Sequence, residues 1–409
     1  MTESDKILVE KQIIKLEHPL YNKLDKLCLL SKNLYNVTLY TVKKHYFKTG
    51  KYLPANAVIT QFTKKNQKDF RALPAKVSRY TIRFVEQNMK SYFKLLELKS
   101  KGNHSKPIGL PKYLHKVKGR QALYYHRQAL VLKENGKVKL SKSDIILNTT
   151  VPIKNIQYLQ IVPCGNHIKV FIGYHKTKPI KKQSSKRFAS IDIGVNNLMT
   201  VTSNVFHPII YNGKPMKSVN QFYNKIKAKE VPRLKKVNNT KDSKKLSKLS
   251  LWRENQISNY FHKVTSDFVR VCKENDIDTV VIGRNIGWKE NLNLGSRNNQ
   301  QFKMIPFLLI YNMLSYKLEM AGINYVEIEE SYTSKCSFID KEELTHHDSY
   351  VGRRVKRGLF KSKNGKKYNA DINGSLNILR KYLTNQNTYS DELHEELVRH
   401  MTNPKRITL

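Results

Sequence analysis

Two short acidic stretches are set in a strongly basic chain of 409 residues. One is SIDIG, with Asp192 placed after an apolar run; the other is NADINGSLNIL, with Asp371 opening a helical pattern. Taken alone, an Asp in either setting is a turn or cap residue. As a pair, DIG after a strand and DxNGxxN at the head of a late helix are far more specific. Hydrolysis of a phosphodiester with Mg²⁺ needs clustered carboxylates, because two hard cations about 4 Å apart must contact both the attacking and the leaving oxygen. Asp192 and Asp371 are therefore candidate metal ligands of a phosphodiesterase centre.

Such a centre needs elements that bring distant carboxylates together. RFASIDIGVNNLMTVTSN reads as a buried strand, a turn at Gly194 and a second strand. Residues 251–275 carry Ile257, Phe261, Val264, Phe268 and Val271 at helical spacing. DTVVIG (278–283) is a buried strand, FLLIYNMLSYKLEMAG (307–322) a helix ending at a Gly cap, and INYVEIEES (323–331) the next strand. The late helix begins at NADINGSLNILRKYL. This order is that of an RNase H-like α/β core, in which carboxylates at the ends of neighbouring parallel strands meet one from the last helix.

The first half is organised differently. KILVEKQIIKL (6–16) alternates as a strand does. Residues 20–48 read as a helix with Leu24, Leu27, Leu30, Leu34 and Val37 inward. Residues 76–99 read as another, with Val77, Tyr80, Phe84, Val85, Met89, Phe93 and Leu96 inward and Lys76, Arg79, Arg83, Lys90 and Lys94 largely off that stripe. Past a polar linker (101–106), ALVLKENGKVKL turns at Asn135-Gly136, and IQYLQIVPCGNHIKVFIGYHK is a second hairpin. The pattern is a small β domain with helices inserted, followed by a charged linker at 176–187.

Lys plus Arg number 75 against 32 Asp plus Glu, a net charge of +43. A polyanion neutralises such a chain, and nucleic acid is the natural one because each phosphate contact releases condensed counterions. General disorder is excluded by 39% hydrophobic residues. No apolar run is long enough to span a bilayer, and the N-terminus lacks a signal-peptide core, so an intracellular protein is expected. Cys28, Cys164, Cys272 and Cys336 form no CxxC.

Across SIDIGVNNLMTV (190–201), GRNIGWKENLNLGSRNNQQF (283–302), EESYTSKCSF (329–338), GRRVKRGLF (352–360) and NADINGSLNILRK (369–381), the chain resembles the TnpB family of transposon-encoded RNA-guided nucleases, relatives of the compact type V CRISPR effectors. LPAKVSRYTIRFVEQNMKSYFKLL (73–96) and KPIGLPKYL (106–114) extend the resemblance to nearly the whole chain except its last two dozen residues. The resemblance implies a wedge β-barrel (1–16 and 107–183) holding a helical recognition lobe (17–106). It also implies a RuvC nuclease domain (187–382) with a basic lid or degenerate zinc-ribbon region at 335–368, and a C-terminal tail (383–409). It further implies a guide RNA from the transposon end, double-stranded target DNA beside a short motif, and Mg²⁺, with Mn²⁺ as a substitute. The expected form is a monomeric, cytoplasmic, nucleoid-associated ribonucleoprotein that makes no use of a membrane.

Two departures from the family pattern shape the expectations. The family's zinc ribbon has two CxxC pairs, whereas this interval has Cys336 with His346 and His347, so no structural zinc is expected. The family's middle catalytic Glu ends the strand aligned with TVVIG, and here that position is Gly283. Either the nuclease is inactive, leaving an RNA-guided DNA-binding repressor, or the third carboxylate comes from the next strand. The alternation Val326, Ile328, Glu330 favours Glu330 over Glu329, giving Asp192, Glu330 and Asp371 as the catalytic and Mg²⁺-binding set. By the same resemblance, Lys76, Ser78, Arg79, Tyr80 and Arg83, with Tyr124, Tyr125 and His126, are candidate contacts to the target-adjacent motif. Arg353, Arg354, Lys356 and Arg357 form a lid over the substrate strand or heteroduplex. Trp288 is assigned to packing.

Overall fold

The computed structural model describes residues 5–180, 185–285, 295–356 and 358–409. The chain divides between Thr177 and Lys178 into two units, a boundary inside the charged 176–187 stretch. Arg357 and Trp288 lie outside the described residues. Among the described residues, no helix is long and apolar enough to cross a membrane.

The first unit runs β1 (Asp5–Lys15), α1 (Tyr21–Thr49), α2 (Ala55–Lys64), α3 (Lys68–Arg71), α4 (Ala75–Ser100), β2 (Leu123–His126), β3 (Leu130–Lys133), β4 (Lys137–Leu140), β5 (Ile146–Asn148), β6 (Ile156–Pro163) and β7 (His167–Thr177). Strands pair as a four-stranded sheet, β1-β7-β6-β2, and a three-stranded sheet, β3-β4-β5. The opening strand runs antiparallel to β7 along its length, from Asp5 opposite Thr177 to Lys15 opposite His167. The helices are thus an insertion between strands of one sheet. Asn135 and Gly136 both have positive φ (58° and 68°) in the three-residue loop between β3 and β4, where Lys133 pairs with Lys137.

Two helical stripes are rotated from their sequence reading. In α1 the buried residues include Leu24, Cys28, Ser31, Tyr35, Thr38, Leu39 and Val42, while Leu27, Leu30 and Val37 are only partly covered. In α4 they are Val77, Ser78, Thr81, Ile82, Val85 and Met89, leaving Tyr80 and Phe84 on the surface. Both helices carry apolar residues around more than half their circumference, so the neighbour decides which side is inward. Short helices α2 and α3 fill a stretch left unassigned above; Ala55, Val58 and Phe62 turn inward at spacings of three and four.

The second unit runs β8 (Phe188–Ile193), β9 (Asn197–Ser203), β10 (Ile209–Asn212), α5 (Lys214–Asn238), α6 (Lys244–Glu274), β11 (Thr279–Gly283), α7 (Ser296–Met304), α8 (Phe307–Glu319), β12 (Asn324–Ile328), β13 (Arg353–Lys356), β14 (Leu359–Lys361), β15 (Lys367–Asn369), α9 (Ala370–Asn385), α10 (Asp391–His400) and β16 (Lys405–Ile407). Its main sheet has the order β12-β11-β8-β9-β10-β16. The first three strands are antiparallel, and β11 and β12 add in parallel beside β8, the RNase H-like arrangement expected from the sequence. The residues read as a C-terminal tail instead form α10 and β16. Leu397 and Met401 enter the core there, and β16 extends the sheet edge in parallel with β10. The stretch read as a basic lid is a small antiparallel sheet, β13-β14-β15, leading into α9.

Side chains alternate across a strand, and this alternation builds the site. Ala189, Ile191, Val280 and Ile282 face the core shared with α6 and α8, while Phe188 and Val281 face the core under α9. Asp192 and Gly283 continue the second register, and Ile328 places Glu330 in it too.

Candidate active site

The non-acidic residues of the DINGSLN stretch dock α9 on the sheet. Ser190 Oγ donates to the Ser375 carbonyl at 2.7 Å, and Ser375 Oγ returns a bond to the Ser190 carbonyl at 3.1 Å. Asn373 and Asn377 donate to the Cys336 carbonyl, both at 2.8 Å, holding the loop after β12. Ile372, Leu376, Ile378, Leu379 and Leu383 are buried, each worth about 1.5–3 kcal/mol of burial. Asn369 caps the helix, accepting from the Asp371 N–H at 2.8 Å.

Two glycines clear space for two carboxylates. A Cβ on Gly374 would stand 2.9 Å from Asp192 Oδ2, so α9 can lie against the end of β8 only without a side chain there. A Cβ on Gly283 would stand 2.5 Å from both Cγ and Oε1 of Glu330 and 2.6 Å from Cδ1 of Ile378. The Glu330 side chain therefore fills the space beside position 283. Its Oε2 accepts from Asn285 Nδ2 at 3.2 Å, and the Tyr311 hydroxyl donates to the Gly283 carbonyl at 3.0 Å. Glu329 is exposed, bonded to Ser331 Oγ, and 3.5 Å from the Lys381 ammonium. The Ser331 bond and Lys381 hold its carboxyl below the usual range.

Asp371, in the first turn of α9, accepts from Asn197 Nδ2 at 2.6 Å and has its other oxygen 3.8 Å from Arg354. Burial, then the charges of Glu330 and Asp371, push Asp192 well above the usual carboxylate range, with Arg354 opposing them. Burial raises Glu330 to about 7. Tyr311 is raised by burial and by Glu330 and Asp192. The carboxylates are thus mutually repelling neighbours. Oxygen donors, two glycine cradles and like charge that Arg354 offsets only in part suit a hard divalent cation. Among the described residues, no three His, Cys, Asp or Glu side chains are gathered closely enough to hold an ion as they stand.

A pH effect follows. The folded value for Glu330 lies above its ordinary 4.5, so the folded state binds that proton more tightly. Its contribution to stability is present below about 4.5 and is lost as pH rises through about 7. Without divalent cation, Tm should fall across that window, and Glu330→Gln should make the fall shallower. An unchanged slope in the variant would show that Glu330 is not a titrating group.

The proposed nucleic-acid residues separate by burial. Lys76, Arg79 and Arg83 are exposed on α4. Ser78 is wholly buried, its hydroxyl donating to the Phe70 carbonyl at 2.7 Å, so it cannot meet a nucleic acid. Tyr125 is also wholly buried, because successive residues of β2 point to opposite faces and Tyr124 and His126 share the outer one. Tyr124 stands 4.4 Å from the Tyr80 ring and 5.1 Å, stacked, from the Tyr158 ring. The Tyr80 and Tyr124 rings, with Arg83, Phe84, Gln87 and Gln160, border a cavity of about 390 Å³. His126 is half-buried and accepts from the Gln128 N–H. Arg353, Arg354 and Lys356 are exposed along β13. Cys336 is buried with its thiol near the Thr345 carbonyl, and His346 stacks edge-on against Tyr332.

Sequence reasoning passed over Asn197, Asn285, Tyr311, Gly374 and Tyr158. The second Asn of DIGVNN carried the one usable signal, a polar residue opening an otherwise apolar strand.

Comparison with known proteins gives matches to the family described as "Probable transposase" over residues 171–289 and to "Cas12f1-like, TNB domain" over residues 307–378. The "TnpB-like protein ORF457" of Acidianus two-tailed virus is 24% identical over 402 residues, covering 88% of this chain and 83% of that protein. The protein chain in "Cryo-EM structure of the Cas12f1-sgRNA-target DNA complex" is 16% identical, covers 87% of this chain and 81% of its own, and superposes with a TM-score of 0.52. That likeness is one of fold.

Proposed function

Since this chain is a TnpB family protein, we propose that it is a transposon-associated nuclease: an RNA-guided DNA endonuclease that carries a guide RNA from the transposon end. It would cut double-stranded target DNA next to a short motif. The observation that carries this reading is the Glu330 carboxylate lying in the space beside Gly283, within electrostatic reach of Asp192. A third acid would thus be supplied where the usual strand has Gly283.

Asp192, Asp371 and Glu330 would hold the Mg²⁺ ions, with Mn²⁺ as a substitute. Bound there, the ions would make an attacking water easier to deprotonate and would neutralise charge developing on the leaving oxygen. Asn285 and Tyr311 hold Glu330 and the end of β11 in place. Arg354 lies beside Asp371, where a cation can meet the scissile phosphate. Sequence specificity would come from base pairing with the guide, the protein reading backbone shape and the short motif. The two sheets of the first unit correspond in this reading to the wedge, and α1–α4 to the recognition lobe. The ribonucleoprotein would act as a monomer, in the cytoplasm and at the nucleoid. Purification with bound RNA, sequencing of that RNA, and assay on a matching target test the reading; absence of a defined co-purifying RNA would defeat it.

Gly283 itself favours a second reading, a guided DNA-binding repressor without nuclease activity. It predicts target binding with no cleavage at any Mg²⁺ or enzyme concentration.

The exposed face of α4 gives a separate prediction. Arg79→Ala with Arg83→Ala should weaken binding of the complex to target DNA and lower its salt dependence by about two phosphate contacts. Salt-titrated binding assays measure both, and an unaltered salt slope would remove these residues from the interface.

A further inference from the structure

The end of the chain lies beyond both family matches, which stop at residues 289 and 378, yet it is built into the nuclease unit. β16 pairs in parallel with β10, Arg406 standing opposite Ile210. The Lys405 N–H donates to the Pro208 carbonyl at 2.8 Å, and Asn212 Nδ2 donates to Thr408 Oγ1 at 3.0 Å. His207 Nδ1 lies 3.3 Å from the His400 carbonyl and 3.2 Å from that of Thr402, tying down the turn before the strand. From this strand the Arg406 guanidinium donates to Asn197 Oδ1 at 3.5 Å. The other end of the same amide, Nδ2, donates to Asp371 Oδ2 at 2.6 Å.

An amide has one donating and one accepting end, a carboxylate only accepts and a guanidinium only donates. Asn197 therefore satisfies both neighbours in one orientation alone, and each bond polarises the other. The carboxylate of Asp371 is pinned through one oxygen, leaving the other directed toward Arg354. Outer hydrogen bonds of this kind fix the plane of a ligating carboxylate before a cation arrives. We propose that Asn197 and Arg406 are positioning residues for Asp371, so that the C-terminal strand is a working part of the catalytic centre. This inference rests on the reading that Asp371 holds the catalytic cation.

The test is calorimetric titration of Mn²⁺ into the purified protein–RNA complex, beside cleavage measured over a range of Mn²⁺. Asn197→Ala should bind Mn²⁺ about 10-fold more weakly. Arg406→Ala should bind it about three-fold more weakly, and Arg406→Lys should recover most of that loss, since a lysine still donates. Because Arg406 acts through Asn197, the double variant should be no weaker than Asn197→Ala alone. Cleavage at saturating Mn²⁺ should stay within about two-fold of the unchanged protein, the loss falling on metal affinity rather than on turnover. Arg406 is exposed, so its variants test the relay without endangering the fold. Unchanged Mn²⁺ affinity in Arg406→Ala, or additive losses in the double variant, overturns the inference. Asp371→Ala separates the two levels. If it abolishes Mn²⁺ binding and cutting while the Asn197 and Arg406 variants behave as the unchanged protein, the inference alone falls. If Asp371→Ala itself binds and cuts normally, the reading beneath it falls.

Discussion

Glu330→Gln is expected to lower target cleavage by about 10³-fold while leaving guide and target binding intact. The substitution keeps the volume that occupies the space beside Gly283, and glutamine can still accept from Asn285. What it removes is one negative charge from the proposed metal-binding set, and a factor of about 10³ corresponds to about 4 kcal/mol of transition-state stabilisation. Glu329→Gln is the control. That carboxylate is exposed and already engaged by Ser331 and Lys381, so its loss should alter the rate by no more than about two-fold. Single-turnover cleavage with filter binding on the same preparations measures both quantities. Full cutting by Glu330→Gln would return the third ligand to the unknown, and loss of cutting in Glu329→Gln would exchange the roles of the two residues.

Gly283→Ala should be almost as damaging, although it adds a single methyl group. Its Cβ would meet Glu330 at 2.5 Å and Cδ1 of Ile378 at 2.6 Å. Ile378 is 1% exposed within a packed helix, so it cannot swing away freely. Either Glu330 is expelled from its place or α9 is pushed off the sheet, carrying Asp371 with it. A drop of about 10²-fold in cleavage and a loss of about 1–3 kcal/mol in stability are expected. The reciprocal exchange is more telling: Gly283→Glu with Glu330→Gly returns the carboxylate to the end of β11 and removes the Glu330 contacts, leaving Cδ1 of Ile378 as the one neighbour that must give way. Activity above that of either single variant would show the two positions to be alternative mounts for one ligand. A fully active Gly283→Ala would mean that position 283 does not govern the site.

The pairing of DIG with DINGS, the run of strands and helices between them, and the parity that groups Asp192, Gly283 and Glu330 could all be read from the sequence. Each depends on spacing along one or two neighbouring elements. The hairpin at Asn135-Gly136 was legible for the same reason, since its positive φ angles favour particular residues. The inward faces of α1 and α4 were not. Both helices are apolar over a wide arc, and the faces buried there are set by strands and helices distant in sequence. Hence Ser78 went inward and Tyr80 outward; strand alternation parts Tyr124 and Tyr125 to opposite faces of β2, but which of the two is buried depends on the elements packed there.

Spacing and composition were enough to read an RNase H-like core, acids near its strand ends and a net charge of +43 that suits a polyanion. Local periodicity and composition suffice for those. That the last residues belong to the main sheet of the second unit emerged from the fold, because Ile209 and Lys405 meet across a separation no local pattern records. It alone placed Glu330 in the space beside Gly283 and Asn197 between Asp371 and Arg406. Such contacts are set by how helices and strands pack, and packing is resolved only when every neighbour is present at once.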